Sequence, residues 1–288
     1  MPKKHLEGLC ALTNKPGRFV KAHIIPVALT KLSDTGEKYV EVGIGHGFKW
    51  RPTSWYDDAL VVRDGENILA SIDDEAIEIL RSNKLVWSSW GREKILNSGD
   101  VVARDSGAVH RLIEFDSPEA LQLFYLSVLW RAAASNRPEL SDTWIDPIDL
   151  EDIRARVAAR DPGNFSDYPV QLFQISTLGA HHNRTPLRER KEIADSMSTP
   201  KETIDYVRIY FDGLVAHVHL REKQALSDDY LKSCLQKVGQ TIVFLHTFEQ
   251  SRALANINEM HATVSRELAL SRQIKAVLSS SKRKPGGA

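Results

Sequence analysis

The chain has only two cysteines in 288 residues, Cys10 and Cys234. That excludes a framework of several disulfides and makes a reducing compartment, the cytoplasm, the expected location. No run approaches the roughly 18 apolar residues of a spanning helix. The opening "MPKKHLEGLC" has no apolar stretch of the kind a secretory leader carries, so no membrane partner is expected. Formal net charge is zero, with 38 basic residues against 38 acidic ones. A strongly basic nucleic-acid protein is thereby excluded in the totals, although a local basic face is not. No internal repeat is present. The glycines of "GIGHG" do not make a phosphate loop, since no Gly-Lys-Ser/Thr follows. What remains is the composition of an ordinary globular protein, 26% charged and 42% apolar, long enough for one large domain or two small ones.

Local patterns give the order of elements. "FVKAHIIPVAL" reads as a short strand ending near Pro26, because proline lacks the donor that a ladder needs. Ser33 to Trp55, with four glycines, reads as loop or irregular hairpin. "ALVVRDGENIL" reads as a strand, a turn at Asp64-Gly65 and a helix start. "SIDDEAIEILRSN" continues that helix, with acids in its first turns where the macrodipole favours them. Ser117 is the expected N-cap of the next helix, with Pro118 at its first position. "EALQLFYLSVLWRAAAS" is apolar almost all round and should be a buried centrepiece, with Arg131 pairing an acid. Asp149 to Arg160 predicts a shorter helix, "YPVQLFQIS" a strand and "TIVFLHTF" another.

"IDYVRIYFDGLVAHVHL" predicts a hairpin closed at Asp212-Gly213, a pair that tolerates positive φ twice. A two-residue turn there pairs Phe211 with Leu214, Ile209 with Ala216 and Val207 with Val218 on an apolar face. Tyr206, Arg208, Tyr210, His217 and His219 take the other face, with Arg208 opposite His217. A long C-terminal helix follows. Helices, then strands, then a helix imply an α+β fold.

The stretch "CALTNKPGRFVKAHIIP" joins a cysteine, a Pro-Gly loop and a histidine in an apolar run. With "WYDDALVVRDGENI" and "LFYLSVLWRAAAS" in that order, it resembles a family of bacterial HNH-type (ββα-metal) proteins. The resemblance covers about residues 8–80 and Leu123–Ser135. It implies a small ββα unit within residues 1–115; the order of elements gives an α+β domain over 116–280 packed against it, and composition a flexible tail at 281–288. In such a site two Cys-x-x-Cys knuckles hold a structural zinc, a strand histidine acts as general base, and helix-start side chains hold a divalent cation. The knuckle positions here are Cys10, Thr13, Val62 and Gly65. One cysteine cannot hold zinc, so no structural zinc is expected. His23 corresponds to the base, with Ala22 where an acid often stands. Glu66, Asp73 and Asp74 are the candidate ligands for Mg or Mn.

Candidate nucleic-acid contacts are Lys21, Arg51 within "WRPTSW", Arg184 behind His181-His182, and Arg208, His217 and His219 on the hairpin. For each, a plain structural role is the alternative. Two functions stay open at this level. One is a metal-dependent nuclease acting in phage defence or a mobile-element locus. The other is a catalytically dead HNH scaffold that recognises nucleic acid or a companion protein of the same locus.

Overall fold

The computed structural model describes residues 6–30, 39–42, 48–51, 54–103, 109–193, 202–221 and 226–281, with backbone alone at 39–42, 48–51, 193, 202, 256, 260 and 275–281. The tail expected at 281–288 lies, beyond Ser281, outside the described residues, as does "GIGHG" from 43 to 47.

A three-stranded antiparallel sheet opens the fold: β1 (Glu7–Leu9), β2 (Pro16–His23) and, beyond it, β5 (Tyr56–Val62), in the order β1-β2-β5. Between β2 and β5, β3 (Tyr39–Val42) and β4 (Phe48–Arg51) form a separate antiparallel pair, so the glycine-rich segment does contain a hairpin. Helix α1 (Arg63–Ser82) starts at the residue after β5. The expected turn at Asp64-Gly65 is therefore absent, and both residues belong to the first helical turn. Its buried face, Leu69, Ile72, Ala76 and Leu80, has helical spacing.

The second sheet has seven strands. Adding β6 (Val101–Ala103), β7 (Val109–Glu114), β8 (Val170–Ile175), β9 (Leu187–Ile193), β10 (Glu202–Phe211), β11 (Leu214–His219) and β12 (Gln240–His246), its order is β6-β7-β12-β8-β11-β10-β9. All pairs are antiparallel except β12 with β8. The hairpin β10–β11 has the expected register, Phe211 opposite Leu214 and Arg208 opposite His217. Its turn residues Asp212 and Gly213 both have positive φ, 46° and 79°.

Helix α2 (Pro118–Ala134) is buried almost all round, as its composition requires. Ser117 stands at its N-cap position without a side-chain capping bond, unlike Asp146 of α3 (Pro147–Ala159), whose carboxylate accepts from Ile148 N. α2 packs on α1, on α3 and on the apolar face of the hairpin, where Phe124 meets Phe211 edge-on at 5.8 Å. One apolar core runs from Cys10 through α1 and α2 to Val243. β6 and β7 lie before the expected boundary at 115 and belong to the large sheet, while β1, β2 and β5 form the small one. Short helix α4 (Asp228–Leu231) and the long α5 (Arg252–Ser281) complete the α+β fold. Ala253 tucks the start of α5 against Trp87, Trp90 and Phe248, and the described side chains farther along are largely exposed.

Candidate functional site

The four expected knuckle positions converge where the loop after β1 meets the start of α1. Strand β2 pairs with β5 through Phe19–Val62 and Val20–Val61, then slips before Ala22–Asp57 and His23–Tyr56. A Cβ on Gly65 would lie 2.8 Å from Cys10 Sγ and 3.1 Å from Val61 Cβ. Glycine is thus what lets the Cys10 loop close on the helix. Val62 fills its place with hydrocarbon, its Cγ1 packing 3.2 Å from where a Cβ on Gly17 would stand. Burial alone would raise the Cys10 thiol pKa; interactions with Thr13 and with the backbone of Val62, Thr13 and Leu12 outweigh it, and the net direction is down. Thr13 Oγ1 itself is buried with no hydrogen bond of sound geometry. A thiol, a buried hydroxyl, a valine and a glycine are no ligand set for zinc.

His23 closes β2. Its ring sits edge-on to Tyr56 at 6.0 Å. Its Nε2 is buried and has no hydrogen-bond partner. Burial, then the charges of Lys21 and Arg131, lower its pKa to about 4, so the ring is neutral at pH 7. The backbone carbonyl of His23 accepts a 3.0 Å bond from Arg131 Nη1. The same guanidinium forks onto Asp73, with Nη1 to Oδ2 at 2.9 Å and Nη2 to Oδ1 at 2.7 Å. Its Nε donates to Ser127 O one turn back along α2. Arg131 is only 2% exposed.

This arrangement commits Asp73, one of the three expected cation ligands, to a guanidinium. Both oxygens of Asp73 face the guanidinium. Asp74, the next residue round the helix, is exposed. Glu66 is half-buried, and desolvation, opposed by Arg131 and reinforced by Asp73, raises its pKa to about 7. Among the described residues no group of three His, Cys, Asp or Glu side chains converges to hold a metal ion. A hard cation such as Mg needs several free anionic or carbonyl oxygens, and this corner presents one carboxyl half-protonated near neutrality. The residues do not fit Mg or Mn.

Among the described side chains, the candidate nucleic-acid contacts are mostly taken up by other groups of the fold. Lys21 is exposed and lies 3.9 Å over the Tyr56 ring. Arg51 belongs to β4, and its side chain lies outside the described residues. Arg184 pairs with Glu259 at 3.1 Å. Arg208 is buried and paired with Glu189 at 3.1 Å. His219 is fully buried, its Nε2 2.7 Å from the Tyr230 hydroxyl, and His217 stacks between Phe173 and Tyr206. Arg208, His217 and His219 were expected on an open sheet face. That face is instead covered, by α4 through Tyr230 and by Lys191, whose ammonium lies 5.0 and 5.1 Å over the Tyr206 and Tyr230 rings. Burial removes Arg208 and His219 from any surface a phosphate could reach. His182, just before Arg184 in the chain, is 5% exposed and stacks on Tyr210.

Arg131 is the residue of this corner whose role goes furthest beyond what its sequence context implied. Its signal was a lone arginine inside an apolar helix, which demands a buried acid; nothing local said the acid is Asp73. No family model, curated protein or solved structure matches this chain.

Proposed function

We propose that the chain is a catalytically inactive, HNH-like scaffold that works by binding a companion protein. The reading rests on one arrangement: the Arg131 guanidinium occupies both oxygens of Asp73 and the His23 carbonyl. A fixed cation from α2 stands where the family pattern calls for an exchangeable one. The knuckle positions point the same way, their zinc ligands replaced by packing around Gly65 and Val62. His23 Nε2, sealed from solvent, is in no position to take a proton from an attacking water. A protein partner is favoured over nucleic acid because Arg208 and His219 are withdrawn from the surface, His217 is packed between Phe173 and Tyr206, and Arg184 is ion-paired. A cytoplasmic location belongs to the same proposal; among the described residues no helix is long and apolar enough to cross a membrane.

The test is cleavage of plasmid DNA and of RNA with Mg or Mn, comparing wild type with His23→Ala. Both proteins should leave the nucleic acids intact. Nicking by wild type that needs the cation and disappears in His23→Ala would overturn the proposal and install the nuclease in its place. That second reading keeps one supporting observation, a neutral imidazole at pH 7 on the strand where a general base belongs.

A further inference from the structure

A cavity of about 200 Å³ lies at the turn of the β10–β11 hairpin, between the 3-10 turn at Trp87–Ser89 and the segment from Leu178 to Asn183. Its position is fixed by close packing. The backbone of Gly213 passes so near Trp87 that a Cβ there would stand 2.4 Å from the indole. Trp87 N donates to Asp212 O at 2.9 Å, and Ser88 N donates to Asp212 Oδ2 at 3.1 Å.

Its wall carries several acceptors, alongside the Ser88 hydroxyl and the Asn183 amide. Asp212 brings a carboxylate bonded by the backbone N–H and the side chain of Ser88, while a carboxylate can accept about four hydrogen bonds. His182 brings a ring nitrogen. Its Nδ1 lies 3.3 Å from Ala180 O, and a carbonyl can only accept, so Nδ1 carries the proton and Nε2 keeps its lone pair. That Nε2 is buried with no partner, on a residue 5% exposed. Asn183 donates one amide N–H to Thr30 O, and its amide oxygen is an acceptor. Glu93 adds a second carboxylate at the rim, held only loosely by Lys84 at 3.9 Å.

The nearby cations are committed elsewhere. Arg184 is paired with Glu259 and Arg208 with Glu189. Arg81, the cation that acts on Asp212, donates to Ala28 O. Burial raises the Asp212 pKa to about 6, the behaviour of a carboxylate short of a counter-charge.

We propose that this cavity binds a small organic cation rich in N–H donors, a guanidinium or ammonium head on a short carbon chain. The head sits between Asp212 and His182 Nε2, and the chain lies along Leu29 and Trp87. A void of this size accommodates such a group, since one water takes about 30 Å³. A neutral analogue of the same shape lacks the charge that Asp212 calls for.

The test is calorimetric titration of the full chain with butylguanidine and butylamine, with butylurea as the neutral control. Saturable binding of a cation should appear, with butylurea at least tenfold weaker. Asp212→Asn should weaken cation binding at least about tenfold, roughly 1.4 kcal/mol. Asparagine tolerates the positive φ and still accepts from Ser88 N, so this variant keeps the turn. His182→Phe keeps the stack on Tyr210 and removes the acceptor. It should weaken binding severalfold, and it carries the test if Asp212→Asn does not fold. A Gly-Arg-Gly peptide separates the two sources of a guanidinium: tighter binding than butylguanidine assigns the site to a protein's arginine, weaker binding to a free small molecule. Absence of saturation by either cation up to about 10 mM, equal binding by butylurea, or unchanged affinity in both variants would overturn the proposal.

Discussion

Arg131 of α2 and Asp73 of α1 form a two-pronged ion pair, 2.7 and 2.9 Å long, with the guanidinium 2% and the carboxylate 13% exposed. The pair also ties both helices to the end of β2 through the carbonyl of His23. Breaking it from one side leaves a desolvated charge without its partner. Asp73→Asn and Arg131→Met should each lower stability by about 3–5 kcal/mol in urea denaturation. The double variant Asp73→Leu with Arg131→Met should recover most of that, since apolar packing replaces both charges at once. Losses that simply add would show that the two side chains do not act together.

Gly65 and Cys10 give a prediction with an inverted sign. Replacing glycine by alanine inside a helix ordinarily stabilises by about 1 kcal/mol. Here the new methyl would meet Cys10 Sγ at 2.8 Å and Val61 Cβ at 3.1 Å, both in the packed core. Gly65→Ala should instead destabilise by about 1–3 kcal/mol. Adding Cys10→Ala removes the nearer of the two atoms, so thermal unfolding of the double variant should lie above that of Gly65→Ala. A single variant more stable than wild type would separate the Cys10 loop from the helix start.

The contrast between the hairpin and the ion pair explains what the sequence could tell. The register of β10 with β11 was legible because Asp212-Gly213 allows positive φ at both turn positions and a two-residue turn leaves one pairing. The buried centre at α2 was legible because its residues are apolar on every side. The partner of Arg131 was not, because Asp73 lies 58 residues away and many exposed acids looked equally available. The hairpin's polar face misled for a related reason. Alternation says which residues share a face, not whether α4 and Lys191 will cover it. A cation site was read into Glu66, Asp73 and Asp74 from their order along a helix, and only tertiary packing turned Asp73 toward a guanidinium.

Three histidines buried on and beside the hairpin make stability sensitive to acid. Burial is the main cause in each, lowering His217 to about 2, His219 to about 3 and His182 to about 4. Each is held neutral in the folded chain and takes a proton near pH 6.5 once unfolded. The unfolded state therefore binds more protons below that pH, and stability is complete above it and lost as pH falls toward 4. Between pH 6.5 and 5 the loss should reach about 2 kcal/mol per histidine. His219→Gln retains a group able to bond the Tyr230 hydroxyl and cannot titrate, so its denaturation midpoint should fall less between pH 7 and 5 than that of wild type. Parallel pH profiles for the two proteins would mean that His219 titrates freely in the fold.

Glu66 should act in the opposite sense over a neighbouring range. Desolvation is the largest influence on its carboxyl, and the folded pKa of about 7 stands above the usual value of 4.5. From pH 4.5 to 7 the folded state holds the proton that the unfolded state has released, so this group's contribution declines as pH rises and levels off above 7. The side chain is half-buried, and solvent screening limits the effect to about 1–2 kcal/mol. Glu66→Gln keeps the shape and the neutral form at every pH. Against wild type it should be equally stable near pH 4.5 and more stable by that amount at pH 8, read from paired urea titrations. Because Arg131 lowers the Glu66 pKa while Asp73 raises it, the crossover should move when their pair is broken: in Arg131→Met the advantage of Glu66→Gln at pH 8 should grow. A crossover that stays in place would show that the Glu66 carboxyl does not feel the guanidinium.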